Sequence, residues 1–159
     1  MALRRAIRRG AVQEERAMDA GSRPDTAALE RLAITGRAVL RRIWARRDRR
    51  EAMAEPERRL LELMERHLDA RPFWEGADPD EHENPFLHVL MHHQVAEQIE
   101  RDRPAGTRAA YERLVASGLE PHEAEHRLID AWARELARQV RERRPFDAER
   151  YRAELDALS

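Results

Sequence analysis

The sequence predicts an all-α fold, a single helical bundle of about five helices with a histidine-lined interior. Three observations carry that expectation. Apolar residues recur at alternating steps of three and four along most of the chain, the spacing of one buried helical stripe. Alternating β-branched segments do not occur, and aromatic residues are only 5% of the chain, too few to build strands. Hydrophobic residues at 42% against charged residues at 38% give the balance of a helical protein with a small core and heavily solvated outer faces, not of a disordered chain. At 159 residues one domain is expected.

Residues 1–24 read as a basic N-terminal arm, frayed or disordered, ended by Gly21-Ser22-Arg23-Pro24. The bundle domain is expected over 25–159. A first firm helix runs from about Asp25 to about Arg50, with Leu29, Leu32, Gly36, Val39 and Ile43 as its buried stripe. A second, from about Glu55 to Ala70, points Leu60, Leu61, Met64 and Leu68 inward, and the proline- and acid-rich stretch from Arg71 to Glu83 makes a loop. Asn84-Pro85 is an N-cap followed by proline at the first helical position, where its missing N–H costs nothing, so a helix starts there and runs to about Arg101. Its inward stripe reads His88, His92, Val95 and Ile99. Arg103-Pro104-Ala105-Gly106 breaks the chain; a short helix then reaches about Ser117, where Gly118 suits the left-handed closing residue. The last long helix opens at Pro121 with His122, His126, Ile129, Ala133, Leu136 and Val140 in line. Asp147 caps a terminal helix that packs through Tyr151, Leu155 and Leu158.

Charge and composition exclude several classes. There is no cysteine, so disulfides and thiolate metal sites are ruled out, and any metal must rest on histidine, carboxylate or water. No apolar run approaches the roughly 18 residues of a membrane span, and Met1 to Gly10 has no apolar signal-peptide core, so the cytoplasm is the expected compartment. Residues 1–50 hold 14 arginines against 6 acids, and the remainder 16 against 25. Every basic residue is arginine. The run from Arg37 to Arg47 could track phosphates, but arginines flanking an apolar stripe make a solvated face, so no nucleic-acid partner is expected. A homo-oligomer is compatible with the sequence, and no specific partner is indicated.

The chemistry lies in the histidines. Two histidines four apart on a helix lie one turn apart on one face, the spacing that lets both imidazoles reach one ion at about 2.0–2.1 Å. If the short helix returns antiparallel, the two long helices are parallel neighbours, and His88, His92, His122 and His126 converge. Burying four imidazoles needs four partners, and a metal supplies them at once. Zinc or iron is the expected cofactor, with these four residues as ligands. Residues 122–126 read H-E-A-E-H, a literal match to the H-E-x-x-H zinc-peptidase pattern with Glu123 as general base, though in a chain without predicted strands to bind peptide. Glu123 with His126 also makes the E-x-x-H of di-iron proteins, and His93 with Glu97 makes H-x-x-x-E, but the full di-iron carboxylate set is lacking. Glu125 and Asp130 could orient an imidazole or be solvated charges.

The stretch Glu83-Asn84-Pro85-Phe86-Leu87-His88-Val89-Leu90-Met91-His92, followed by Glu97-Gln98, Arg103-Pro104-Ala105-Gly106 and H-E-A-E-H at 122–126, resembles the bacterial family catalogued as domain of unknown function 1841. The resemblance covers about residues 60–158 and leaves the first 50 outside. Members carry a histidine-proline element before the first motif; His67 stands at about that place, with Leu68 following it. The resemblance implies an α-helical fold, points to His88, His92, His122 and His126, and supplies no reaction. The sequence therefore predicts a metal-binding helical protein. Its alternatives are a metal-free helical interaction module, with Trp44, Trp74 and Trp132 anchoring packing or a partner, and a zinc-dependent hydrolase working through Glu123.

Overall fold

The computed structural model describes residues 26–79 and 84–159, with side chains from 36 onward. The expected N-terminal arm lies outside the described residues, as do the side chains of Leu29 and Leu32. The fold is all-helical. Its longer helices are α1 (Thr26–Ala45), α2 (Glu55–Arg66), α4 (Pro85–Arg101), α5 (Thr107–Ala116), α6 (Pro121–Glu142) and α7 (Ala148–Ala157), with a single-turn α3 (Arg71–Trp74) and two 3-10 stretches at Arg47–Ala52 and Leu68–Ala70. Among the described residues, six helices of ten residues or more thus stand where about five were expected, and part of the expected loop after Ala70 is helical.

Local chemistry sets most of the ends. Asn84 Oδ1 accepts the Leu87 N–H at 3.1 Å, and Pro85 opens α4. Asp102, left-handed at φ 48°, closes α4, and its carboxylate accepts the Gly106 and Arg108 N–H groups at 3.0 Å, joining the end of α4 to the start of α5. After α5 the Leu119 and Gly118 N–H groups return to the Leu114 and Val115 carbonyls with Gly118 at φ +104°, a turn that any Cβ would strain. Asp147 accepts the Arg150 N–H at 3.0 Å and starts α7.

Helix α4 is the central element, packed against α1, α2, α5 and α6. Two apolar clusters meet along it. One joins Leu40, Ile43 and Trp44 of α1 with Leu61 and Met64 of α2, Trp74, and Phe86 and Val89 of α4. The other joins Val95 of α4 with Ala110 and Leu114 of α5, Leu128 and Trp132 of α6, and Tyr151 and Leu155 of α7. All three tryptophans are core residues, so they anchor packing and leave no indole face for a partner. Between Val89 and Val95, at the seam of the two clusters, lies His92, fully buried.

Several expected stripes are displaced. Helix α2 ends at Arg66 instead of continuing to Ala70, and Leu68 is 58% exposed. The buried arc of α4 runs Phe86, Val89, His92, Val95 and Gln98, in steps of three, because the helix is covered on more than one side; His88 and Ile99 are half-buried flanks. On α6 the buried arc is Ala124, Glu125, Leu128, Ile129, Ala131, Trp132 and Glu135, and Val140, expected inside, is 63% exposed. The histidine line was a poor guide to the centre of that face: α4, α5 and α7 all pack on α6, and their combined footprint is turned to one side of His122 and His126. Among the described residues, no helix is long and apolar enough to cross a membrane.

Candidate metal centre

Five histidines come together at the seam. His88 and His92 come from the first half of α4, His122 and His126 from the opening of α6, and His67 from the residue that ends α2. At His67 the backbone leaves the helix (φ −116°, ψ 55°), which swings the imidazole inward while Leu68 turns to solvent. Its Nδ1–H donates to the Leu63 carbonyl at 2.7 Å, leaving Nε2 with its lone pair facing the cluster.

The two rows do not meet first to first. His92 and His122 are stacked, with ring centroids 4.6 Å apart and planes within 6°. His88 faces His126 at 5.2 Å, and His92 also approaches His126 at 4.8 Å. Parallel helices in register would pair His88 with His122; the ring pairs run in the opposite order, His88 with His126 and His92 with His122, so that expected register is corrected. Convergence survives because the rows are short, each of two residues one turn apart. His67 completes the group, its ring 4.8–4.9 Å from those of His88, His92 and His122.

One nitrogen from each of His67, His92, His122 and His126 lies within 4.8 Å of the others. Four nitrogens bound tetrahedrally to one ion at about 2.0–2.1 Å are about 3.4 Å apart, so closing the set onto an ion needs the rings to draw together by about 1 Å. His92 Nε2, His122 Nδ1 and His126 Nε2 are buried without a hydrogen-bond partner. A buried polar atom left unpaired costs on the order of 1–3 kcal/mol, and three in one place are an unmet demand that a single cation satisfies. The residues present fit a metal ion.

Glu125 supports the arrangement. Its Oε2 accepts from His92 Nδ1 at 2.8 Å and lies 3.9 Å from His122 Nδ1, while its other oxygen is 3.7 Å from the Arg66 guanidinium. Burial alone would raise the carboxyl, but the His92 hydrogen bond, Arg66 and the neighbouring imidazoles outweigh it and hold the pKa below the ordinary glutamate value. Glu125 is therefore an anion that fixes His92 as the Nδ1–H tautomer and turns Nε2 toward the cluster, the carboxylate–histidine arrangement common behind bound metals. Burial and the surrounding imidazoles lower His88 to about 4, and the same causes lower His122 to about 4. Burial also lowers His92, against the opposing pull of Glu125. Neutral imidazoles keep the lone pairs that ligation requires.

The other sequence candidates are placed elsewhere. Glu123, expected as general base, is on the outer face of α6, its side chain 51% exposed and paired with Arg127. Glu97 pairs with Arg101 at 3.4 Å, and Asp130 is exposed. Of the two carboxylates weighed as supports, Glu125 is the one inside. His67 was marked only by its place in the family resemblance, because the expected stripe took its neighbour Leu68 inward.

This chain belongs to the DUF1841 family. That family, described as a domain of unknown function, is matched over residues 34–157. The match begins well upstream of residue 60 and takes in most of α1, so the first 50 residues are not wholly outside the DUF1841 unit. All five clustered histidines and Glu125 lie within it. No curated protein and no solved structure matches the chain.

Proposed function

We propose that this DUF1841 protein binds one first-row divalent metal ion, zinc or iron, through His67, His92, His122 and His126. The observation that carries the reading is the set of three buried, unpartnered imidazole nitrogens in a cluster where one nitrogen from each of four histidines lies within 4.8 Å of the others. Hydrogen bonds behind two of the rings support it, from His67 to the Leu63 carbonyl and from His92 to Glu125, since each fixes the tautomer that presents Nε2. His88, first expected as a ligand, is outside this four-nitrogen set, and His67 takes its place. The hydrolase reading through Glu123 gains no support from a carboxylate on the outer face.

Elemental mass spectrometry on the untagged full chain tests the reading, beside a His122→Ala, His126→Ala double variant and a His93→Ala control. The expected result is about one ion per chain in the parent and the control and none in the double variant. A metal-free parent, unchanged after aerobic and anaerobic reconstitution with zinc(II) and iron(II), would favour a metal-free helical module and end this proposal.

A further inference from the structure

His88 is the one member of the cluster that the four-nitrogen set leaves over. Its Nε2 is 3.1 Å from the Nε2 of His67, and its ring is 4.8 Å from that of His92 and 5.2 Å from that of His126. The tautomers are constrained. His67 donates through Nδ1 to the Leu63 carbonyl, so its Nε2 is an acceptor, and in the metal-free protein His88 must supply the proton as an Nε2–H donor. That hydrogen bond occupies the lone pair His67 needs for an ion. Once the ion takes it, the half-buried His88 Nε2–H has no acceptor left in the cluster. Moving the His88 proton to Nδ1 relieves this and directs a fifth lone pair at the same centre. The separation suits it, because two nitrogens bound cis to one ion at about 2.1 Å are about 3.0 Å apart at right angles.

Resting on the metal-site reading above, we infer that His88 is a fifth nitrogen ligand, so that the site holds a five-nitrogen ion with one remaining position open to a small exogenous ligand. Five neutral nitrogens exceed the tetrahedral set of a structural zinc and suit an ion that takes five or six ligands, such as iron(II), manganese(II) or cobalt(II). Solvent reaches the cluster at His122, whose side chain is 36% exposed, while His92 is fully buried. No reaction follows from this alone, but a centre with an exchangeable position can do chemistry that a closed one cannot.

Cobalt(II) loading of the full chain tests the inference, because four-coordinate cobalt(II) has strong visible bands and five- or six-coordinate cobalt(II) weak ones. We expect weak bands in the parent that shift on adding azide. In His88→Ala we expect either strong four-coordinate bands or cobalt binding at least about tenfold weaker, with one ion per chain still bound at saturation. Strong bands in the parent, insensitive to azide and unchanged in His88→Ala at equal affinity, would overturn the fifth ligand and leave the four-histidine site intact. Cobalt failing to bind the parent would remove the underlying site as well, so the two failures are distinguishable. If His88→Ala does not fold by circular dichroism, the parent spectrum and its azide response decide the matter alone, with His88→Gln as the substitute variant.

Discussion

At the residue scale, Glu125 illustrates how an unremarkable position acquires a role. In the sequence it is one of two glutamates inside H-E-A-E-H, and the zinc-peptidase pattern draws attention to the other. Helical geometry separates them by about 200° around the axis, enough to put Glu123 in solvent beside Arg127 and Glu125 against His92. Glu125→Gln keeps the shape and can still accept from His92 but removes the charge that polarises the ring. Metal affinity should fall by about 10- to 100-fold with the fold retained, measured by competition with a chromophoric chelator. Unchanged affinity would reduce Glu125 to a packing role. The histidines also predict a pH response of the metal-stripped protein. His88 and His122 titrate near 4 in the fold against 6.5 in the unfolded chain. The unfolded chain therefore takes up protons first, and the stabilisation present above about 6.5 is lost as pH falls toward 4. The urea midpoint of the stripped protein should drop steadily across that window, whereas a flat profile would mean the rings take up protons alike in the folded and the unfolded chain. The paired histidines were legible because i,i+4 spacing survives whatever the helices do next. His67 was not, since what brings it inward is a backbone departure from the helix after Arg66 that no periodicity encodes.

At the element scale, the starts of helices were easier to read than their faces. Asn84-Pro85, Pro121 and Asp147 begin α4, α6 and α7 where local capping chemistry says they should, because a cap depends on residues within one turn. Faces depend on neighbours. Centring the α6 stripe on its histidines put Val140 inside, whereas α4, α5 and α7 leave it exposed and bury Glu125 and Glu135. The cap on α4 bears on the histidine cluster, since His88 lies in the turn that Asn84 holds. Asn84→Ala should cost about 1 kcal/mol of stability in urea unfolding, and Asn84→Asp should cost much less. An Ala variant as stable as the parent would show that Pro85 and tertiary packing alone set the helix start. The close approach of α1 to α4 depends on Gly36: a Cβ there would meet Leu90 Cδ1 at 2.6 Å. An alanine can be met by rotating that terminal methyl, but Gly36→Leu should push the helices apart and cost about 1–3 kcal/mol.

At the scale of the whole molecule, the position of the cluster matters more than its composition. The apolar core is two clusters that share α4, and the imidazoles occupy the seam between them, drawn from α2, α4 and α6. Without an ion, that seam holds buried polar atoms that neither cluster satisfies. With one, the three helices are tied at a single point, so metal binding should stabilise both halves together. An ion at about one hundred times its dissociation constant contributes about 2.7 kcal/mol, and for a protein of this size each kcal/mol moves the unfolding midpoint by about 2–4 °C. Stripping the metal with a chelator and dialysing the chelator away should therefore lower the midpoint by about 5–11 °C, and reconstitution should restore it. Hydrogen exchange distinguishes a tie from a local patch. If the ion joins the halves, amides around Leu61 in α2 and around Leu128 in α6 should lose protection together on stripping. Loss confined to the opening turns of α6 would mean the ion only orders one helix end, and the seam would then be a weak point that the fold tolerates with or without metal.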